Sequence, residues 1–191
     1  MFYFPAEYFL QAYSLPLIVE VRFQKDYFSE YPEQIRVSSD GYDGLRLRTS
    51  VSYIRKPGYY AVHYNQSGTV AIGAILRLND GAIAVFSGEP NQSEQGILSP
   101  VYTLESNASL AVPTGLVFIR FAESVDVESQ REVINRAGYE VAERLAYAPH
   151  TAWLRAKSGN IVDAIAGISQ LEAIANVENV EPQMLMERSL R

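Results

Sequence analysis

From Leu116 onward the chain alternates strand-like and helix-like segments in an order that a narrow set of folds accommodates. Leu116-Val117-Phe118-Ile119-Arg120-Phe121 reads as a strand, being rich in β-branched and aromatic residues. Asp126 suits the N-cap of a helix over Val127–Ala137, and Gly138 suits its C′ position, where glycine adopts positive φ without a steric penalty. Val141–Ala148 and Thr151–Ala156 read as two strands joined around Pro149-His150. Ser158-Gly159-Asn160 opens a second helix, in which Ile161, Ile165, Ile168 and Leu171 fall on one face. Val177-Glu178-Asn179-Val180-Glu181 closes the series as an alternating strand that Pro182 is expected to stop.

The order β-α-β-β-α-β folds as two interleaved βαβ units, with both helices on one face of a four-stranded antiparallel sheet. The expected fold class is α+β, with a C-terminal ferredoxin-like unit over residues 113–191. Residues 17–112 are expected as a β-rich accessory domain, since from Leu17 to Leu104 the pattern changes to period two, as in Leu17-Ile18-Val19-Glu20-Val21-Arg22-Phe23 and Gly44-Leu45-Arg46-Leu47-Arg48. Tyr59–Tyr64, Thr69–Leu78 and Ala82–Phe86 are each closed by a turn cluster, which predicts a small antiparallel all-β barrel or sandwich. Asp80-Gly81 is the strongest hairpin signal. Between the two units, Glu105–Gly115 is small and polar, ends in Pro113 and Gly115, and reads as a linker or entering edge strand with a boundary near residue 112. Residues 1–16 form an aromatic segment in which Phe4/Tyr8 and Phe9/Tyr13 would share faces of a short helix.

Charge narrows the partners. The formal net charge is -6 and the pI about 5.0, so the long-range field repels phosphate backbones and argues against nucleic acid. Each side of residue 112 carries 8 basic and 11 acidic residues, so neither is a charged arm. No apolar run approaches the roughly 18 residues of a membrane span, and Met1–Leu17 lacks the pattern of a signal peptide. The chain reads as soluble and cytoplasmic unless exported with a partner.

Catalytic motifs are absent. With no cysteine, thiolate chemistry and Cys-ligated metals are excluded. The two histidines, His63 in an aromatic strand and His150 in a turn, form neither a metal set nor a triad with a nominated nucleophile. No nucleotide-binding glycine motif occurs, and Asp40-Gly41-Tyr42-Asp43-Gly44 lacks the spacing of a calcium loop. Glu20, Asp80 and Glu89 are the carboxylates an enzyme on the β unit would use, yet nothing pairs them. The expectation is a non-enzyme without cofactors.

The second half resembles the propeptide/inhibitor domain of subtilisin-like serine proteases, the I9 inhibitor type, and is similar to N-terminal regions of cyanobacterial subtilisin-family peptidases. The resemblance rests on Val117-Phe118-Ile119-Arg120-Phe121-Ala122-Glu123, Ala137-Gly138-Tyr139-Glu140-Val141, Thr151-Ala152-Trp153-Leu154-Arg155 and Leu171–Pro182, with its V-x-x-V-E-P ending. It covers roughly residues 115–191. It implies a non-catalytic domain that inhibits or helps to fold a subtilisin-like serine protease, possibly its own, encoded downstream. The helix-free sheet face would dock on the protease, which nominates Glu140, Trp153, Glu178 and Glu181. The tail, Met184, Leu185, Met186, Glu187, Arg188, Ser189, Leu190 and Arg191, would lie product-like in the substrate cleft, where a strand gains main-chain hydrogen bonds. The rival expectation is a ferredoxin-like regulatory or assembly module that dimerises or binds a small molecule, since one fold serves many tasks.

Overall fold

The structure, a computed structural model, describes residues 26–40, 48–65, 71–90, 95–106 and 109–187. The aromatic segment 1–16, the strand expected at 17–23, most of the run at 44–48 and the tail residues Arg188, Ser189, Leu190 and Arg191 lie outside the described residues. The strands are β1 (Gln34–Asp40), β2 (Arg48–His63), β3 (Leu76–Leu78), β4 (Ile83–Ser87), β5 (Ile97–Leu104), β6 (Leu110–Phe121), β7 (Tyr139–Arg144), β8 (Thr151–Ala156) and β9 (Val177–Met186). The helices are α1 (Arg131–Arg136), α2 (Ile161–Ala166) and α3 (Ile168–Glu172). The protein is mixed α+β and mostly antiparallel sheet. The expected four-stranded sheet and separate β unit are instead one nine-stranded sheet among the described residues.

β6 makes the sheet continuous. On one side it pairs first with β5, through Leu110 and Ala111, and then with β8, from Leu116 to Arg120. On the other it pairs with β9 from Ala111 to Phe121. The expected boundary residue, Val112, is therefore buried inside a strand. Pro113 is tolerated there because β5 has ended and β8 has not begun, so no ladder on that side needs its missing N–H. Gly115 has φ +88°, at a register shift between Pro113 and Val117 that marks a bulge. A Cβ at Gly115 would stand 3.3 Å from Ile161 Cγ1, so glycine also admits the start of α2. What reads as linker chemistry is the chemistry of a bulge.

Pro182 likewise does not stop its strand. It is buried mid-strand opposite Val117, and β9 continues to Met186. Among the described residues β9 has a ladder on one side only, with β1 beside it but not paired to it, so an N–H missing from the outer side breaks no described ladder.

Alternation then assigns faces. Val117, Ile119 and Phe121 of β6, with Ala152, Leu154, Tyr139 and Val180, are buried under Val127, Ile134, Ala164 and Leu171 from the helical segments. Further along the sheet, Met184 packs against a cluster of Ile35, Val37, Tyr102, Ala111, Ile161 and Ile165. Leu185 packs on the opposite side, against the cluster that holds Val112, Val101, Ile83 and Val85. Arg55 fastens the segment before β1, bonding both carboxylate oxygens of Asp26 at 2.9 and 3.1 Å and also Glu33.

The local signals mostly hold, with three departures. Asp126 caps its helix, Oδ1 accepting from Glu128 N–H at 2.8 Å, but the first turn, Val127–Gln130, is 3-10 before α1 begins. β3 and β4 form the expected hairpin, with Asn79, Asp80 and Gly81 all at positive φ. β8 has the expected bounds, while β7 begins at Tyr139 and ends at Arg144 rather than Ala148. The second helix is broken at Gly167, where a Cβ would lie 2.5 Å from Tyr139 Oη. That hydroxyl donates to the Ala164 carbonyl at 2.7 Å, so the buried tyrosine occupies the space a side chain would need.

Two stability measurements check this packing. By urea denaturation, Met184→Ala should cost about 1–3 kcal/mol, as for a packed side chain, and Glu187→Ala under about 0.5 kcal/mol. Equal, negligible effects would mean that β9 does not extend past Glu181. Gly167→Ala should destabilise by about 1–3 kcal/mol despite its helical φ of -84°. The loss should shrink in the Tyr139→Phe background, and strict additivity would contradict the steric account.

Candidate functional site

The helix-free face of β9, β6, β8 and β7 gathers the sheet residues that the sequence nominated. Phe118 of β6 stands opposite both Trp153 of β8 and Glu181 of β9. The Phe118 and Trp153 rings pack edge to face, centroids 5.3 Å apart at 63°. Both are half-buried and neither belongs to the buried clusters, so the pair forms an aromatic centre on an otherwise polar face.

Charges surround that centre. Glu140 faces Arg155 across β7 and β8, and Arg155 Nε donates to Glu140 Oε1 at 2.5 Å. Arg120 lies 3.4 Å from Glu178, whose position at a register shift between Arg120 and Phe121 brings it to this side of the strand. Asn179 Nδ2 donates to Glu181 Oε1 at 2.7 Å. Buried Arg120 Nε finds no hydrogen-bond partner among the described residues, the 3.4 Å contact to Glu178 being an ion pair without hydrogen-bond geometry. The Glu140–Arg155 pair is solvent-exposed and contributes little stability, whereas the Arg120 side chain is largely covered, so these groups serve better to bias what can approach. Phe118, Arg120 and Arg155 were not nominated from the sequence as members of this face. The signal was present, because in β6 Phe118 and Arg120 alternate with the apolar Val117, Ile119 and Phe121, and in β8 Arg155 stands between buried Leu154 and Ala156.

The tail residues are placed differently. Met184, Leu185 and Met186 are not a free segment but the last rungs of β9, opposite Pro113, Val112 and Ala111. Glu187 follows the strand and is exposed.

Compared with protein-family models, curated proteins and solved structures, the chain matches none. The site must be read from its own geometry.

Neither histidine joins the aromatic face. His150 serves through its backbone, its carbonyl accepting from Phe121 N–H at 2.9 Å. His63 ends β2, with Nε2 2.9 Å from the Oγ of fully buried Ser99. Among the described residues no group of His, Asp or Glu could hold a metal ion, and no helix is long and apolar enough to cross a membrane. Asp80 sits in the β3–β4 turn and Glu89 in the loop after β4, while Glu20 lies outside the described residues.

Burial depresses the His63 pKa from 6.5 to about 4, because the charged ring would lose its hydration. Between those values the unfolded chain binds the proton and the folded chain does not, so stability is full above pH 6.5 and falls as pH drops toward 4. Across that window His63 should account for about 2 kcal/mol, discounted for partial exposure. His63→Gln should flatten this part of a urea-midpoint profile, and an unchanged slope would show that the ring is not buried neutral.

Proposed function

We propose that the protein is a non-catalytic, propeptide-like binding module that docks on a subtilisin-like serine protease through this helix-free sheet face, inhibiting the enzyme or aiding its folding. The Phe118–Trp153 pair carries the reading. Aromatic residues at the centre of a polar-rimmed patch are the usual energetic anchors of protein interfaces. The spatial order β9-β6-β8-β7, all antiparallel with the helices on the other face, supports the ferredoxin-like arrangement that the propeptide resemblance implies.

Area favours this reading over a symmetric dimer. A four-stranded face about 19 Å across and about 20 Å long offers roughly 400 Å². A stable interface commonly buries about 800 Å² per partner, so a dimer on this face alone would be small. A protease would add contacts beyond the face. Because Met184, Leu185 and Met186 are committed to β9, any chain entering its cleft begins no earlier than Glu187.

The test is inhibition of a panel of subtilisin-type proteases by the full chain. At least one should lose activity on titration, and Trp153→Ala should weaken that inhibition roughly 30-fold, as for a central anchor. Absence of both inhibition and complex across the panel, with a concentration-dependent dimer in sedimentation that Trp153→Ala abolishes, would replace this reading with an assembly module.

A further inference from the structure

Where β6 bulges, the sheet surface that carries Phe118 and Glu181 leads, two residues along each strand, to Leu116 and Gln183. There it meets a wall built by the end of β2 and the β3–β4 turn, and the two border an open cleft of about 330 Å³. That is the lower end of ligand-pocket size. Its lining from β6 and β9 is Thr114, Leu116, Gln183 and Leu185, and His63 and Asn79 are among the residues facing them.

A short relay orders the polar part. Leu116 N–H donates to Thr114 Oγ1 at 3.1 Å, and the Thr114 hydroxyl donates to Gln183 Oε1 at 2.8 Å. With Oε1 engaged, the Gln183 amide nitrogen keeps two N–H donors that no described residue accepts. Ser99 occupies Nε2 of His63 and leaves the ring's other nitrogen without a partner among the described residues. None of the nine described lining residues is Asp, Glu, Lys or Arg. A carboxylate or ammonium settling here would give up part of its water shell without finding a counter-charge in that lining, so the cleft favours an uncharged ligand.

We infer that this cleft is a binding site for an uncharged peptide segment, its carbonyl or carboxamide oxygen accepting from the Gln183 amide and its apolar side chain resting on Leu116 and Leu185. The floor favours a peptide because it continues along β6 and β9, the direction an extended chain would follow. The site is distinct from the Phe118–Trp153 centre and does not depend on what docks there.

The experiment is a two-dimensional NMR titration of the full chain with four capped amino acids. N-acetyl-leucine and N-acetyl-glutamine N-methylamides are the neutral probes; the lysine and glutamate analogues are the charged ones. The neutral probes should shift the Gln183 side-chain N–H₂ and His63 ring signals saturably, at millimolar concentration. The charged probes should bind at least tenfold more weakly. Leu116→Arg, which fills the cleft, and Gln183→Ala, which removes the donors, should each weaken the neutral probes at least tenfold, whereas Trp153→Ala should leave their binding unchanged. Either cleft variant is scored if its amide spectrum remains folded. No saturable shift, equal binding of charged probes, or binding that survives both cleft variants would overturn the inference. Because Trp153→Ala is read separately against proteases, failure here leaves the sheet-face reading standing, and the reverse holds too.

Discussion

The ladder between β6 and β9 joins everything else in this molecule. Its strands are far apart in sequence, separated by all three helices and the β7–β8 hairpin, so its closure brings a large loop entropy that local contacts do not offset. In return it lies over two different cores. At one end Ile119 and Val180 are buried beneath the helices; at the other Met184 and Leu185 reach clusters made largely of β1, β2, β4 and β5 residues. Two units that the sequence pattern separates at residue 112 therefore share one backbone ladder.

The bulge at Pro113–Leu116 decides what that ladder exposes. Before it, Leu110 and Val112 are covered by Leu76, Leu78, Ile83 and Val85 from the β3–β4 hairpin and its surroundings. Beyond it, none of the described hairpins lies over Phe118, which packs on Trp153 beside charged pairs. The same strand thus provides a core wall along one stretch and an accessible face along the next. The cleft lies at the step between them, bounded by Thr114 and Gln183. Both candidate surfaces follow from one irregularity in one strand.

Much of the local architecture was legible because its causes are local. A carboxylate at Asp126 caps the nearest N–H groups wherever its helix packs, and Asn79-Asp80-Gly81 turns the chain because positive φ is accessible there. Strand alternation placed Glu140, Trp153 and Glu181 on one face for the same reason, successive side chains pointing to opposite sides. Gly167 was not legible in this way. Its backbone is helical, and the helix divides there because Tyr139, distant in sequence, lies against it.

The sequence by itself determined the kinds of element, their order and the alternation that sorts each strand into two faces. Only the tertiary structure decided what Pro113, Gly115 and Pro182 mean. A proline removes one N–H, and that matters only if a neighbouring strand stands where the N–H would point. At Pro113 the neighbour changes from β5 to β8, and at Pro182 no ladder forms on the outer side among the described residues, so both prolines stay within strands that local rules would have ended. The chain after Glu181 thereby becomes part of the sheet, because its partner is a strand that sequence proximity does not reveal.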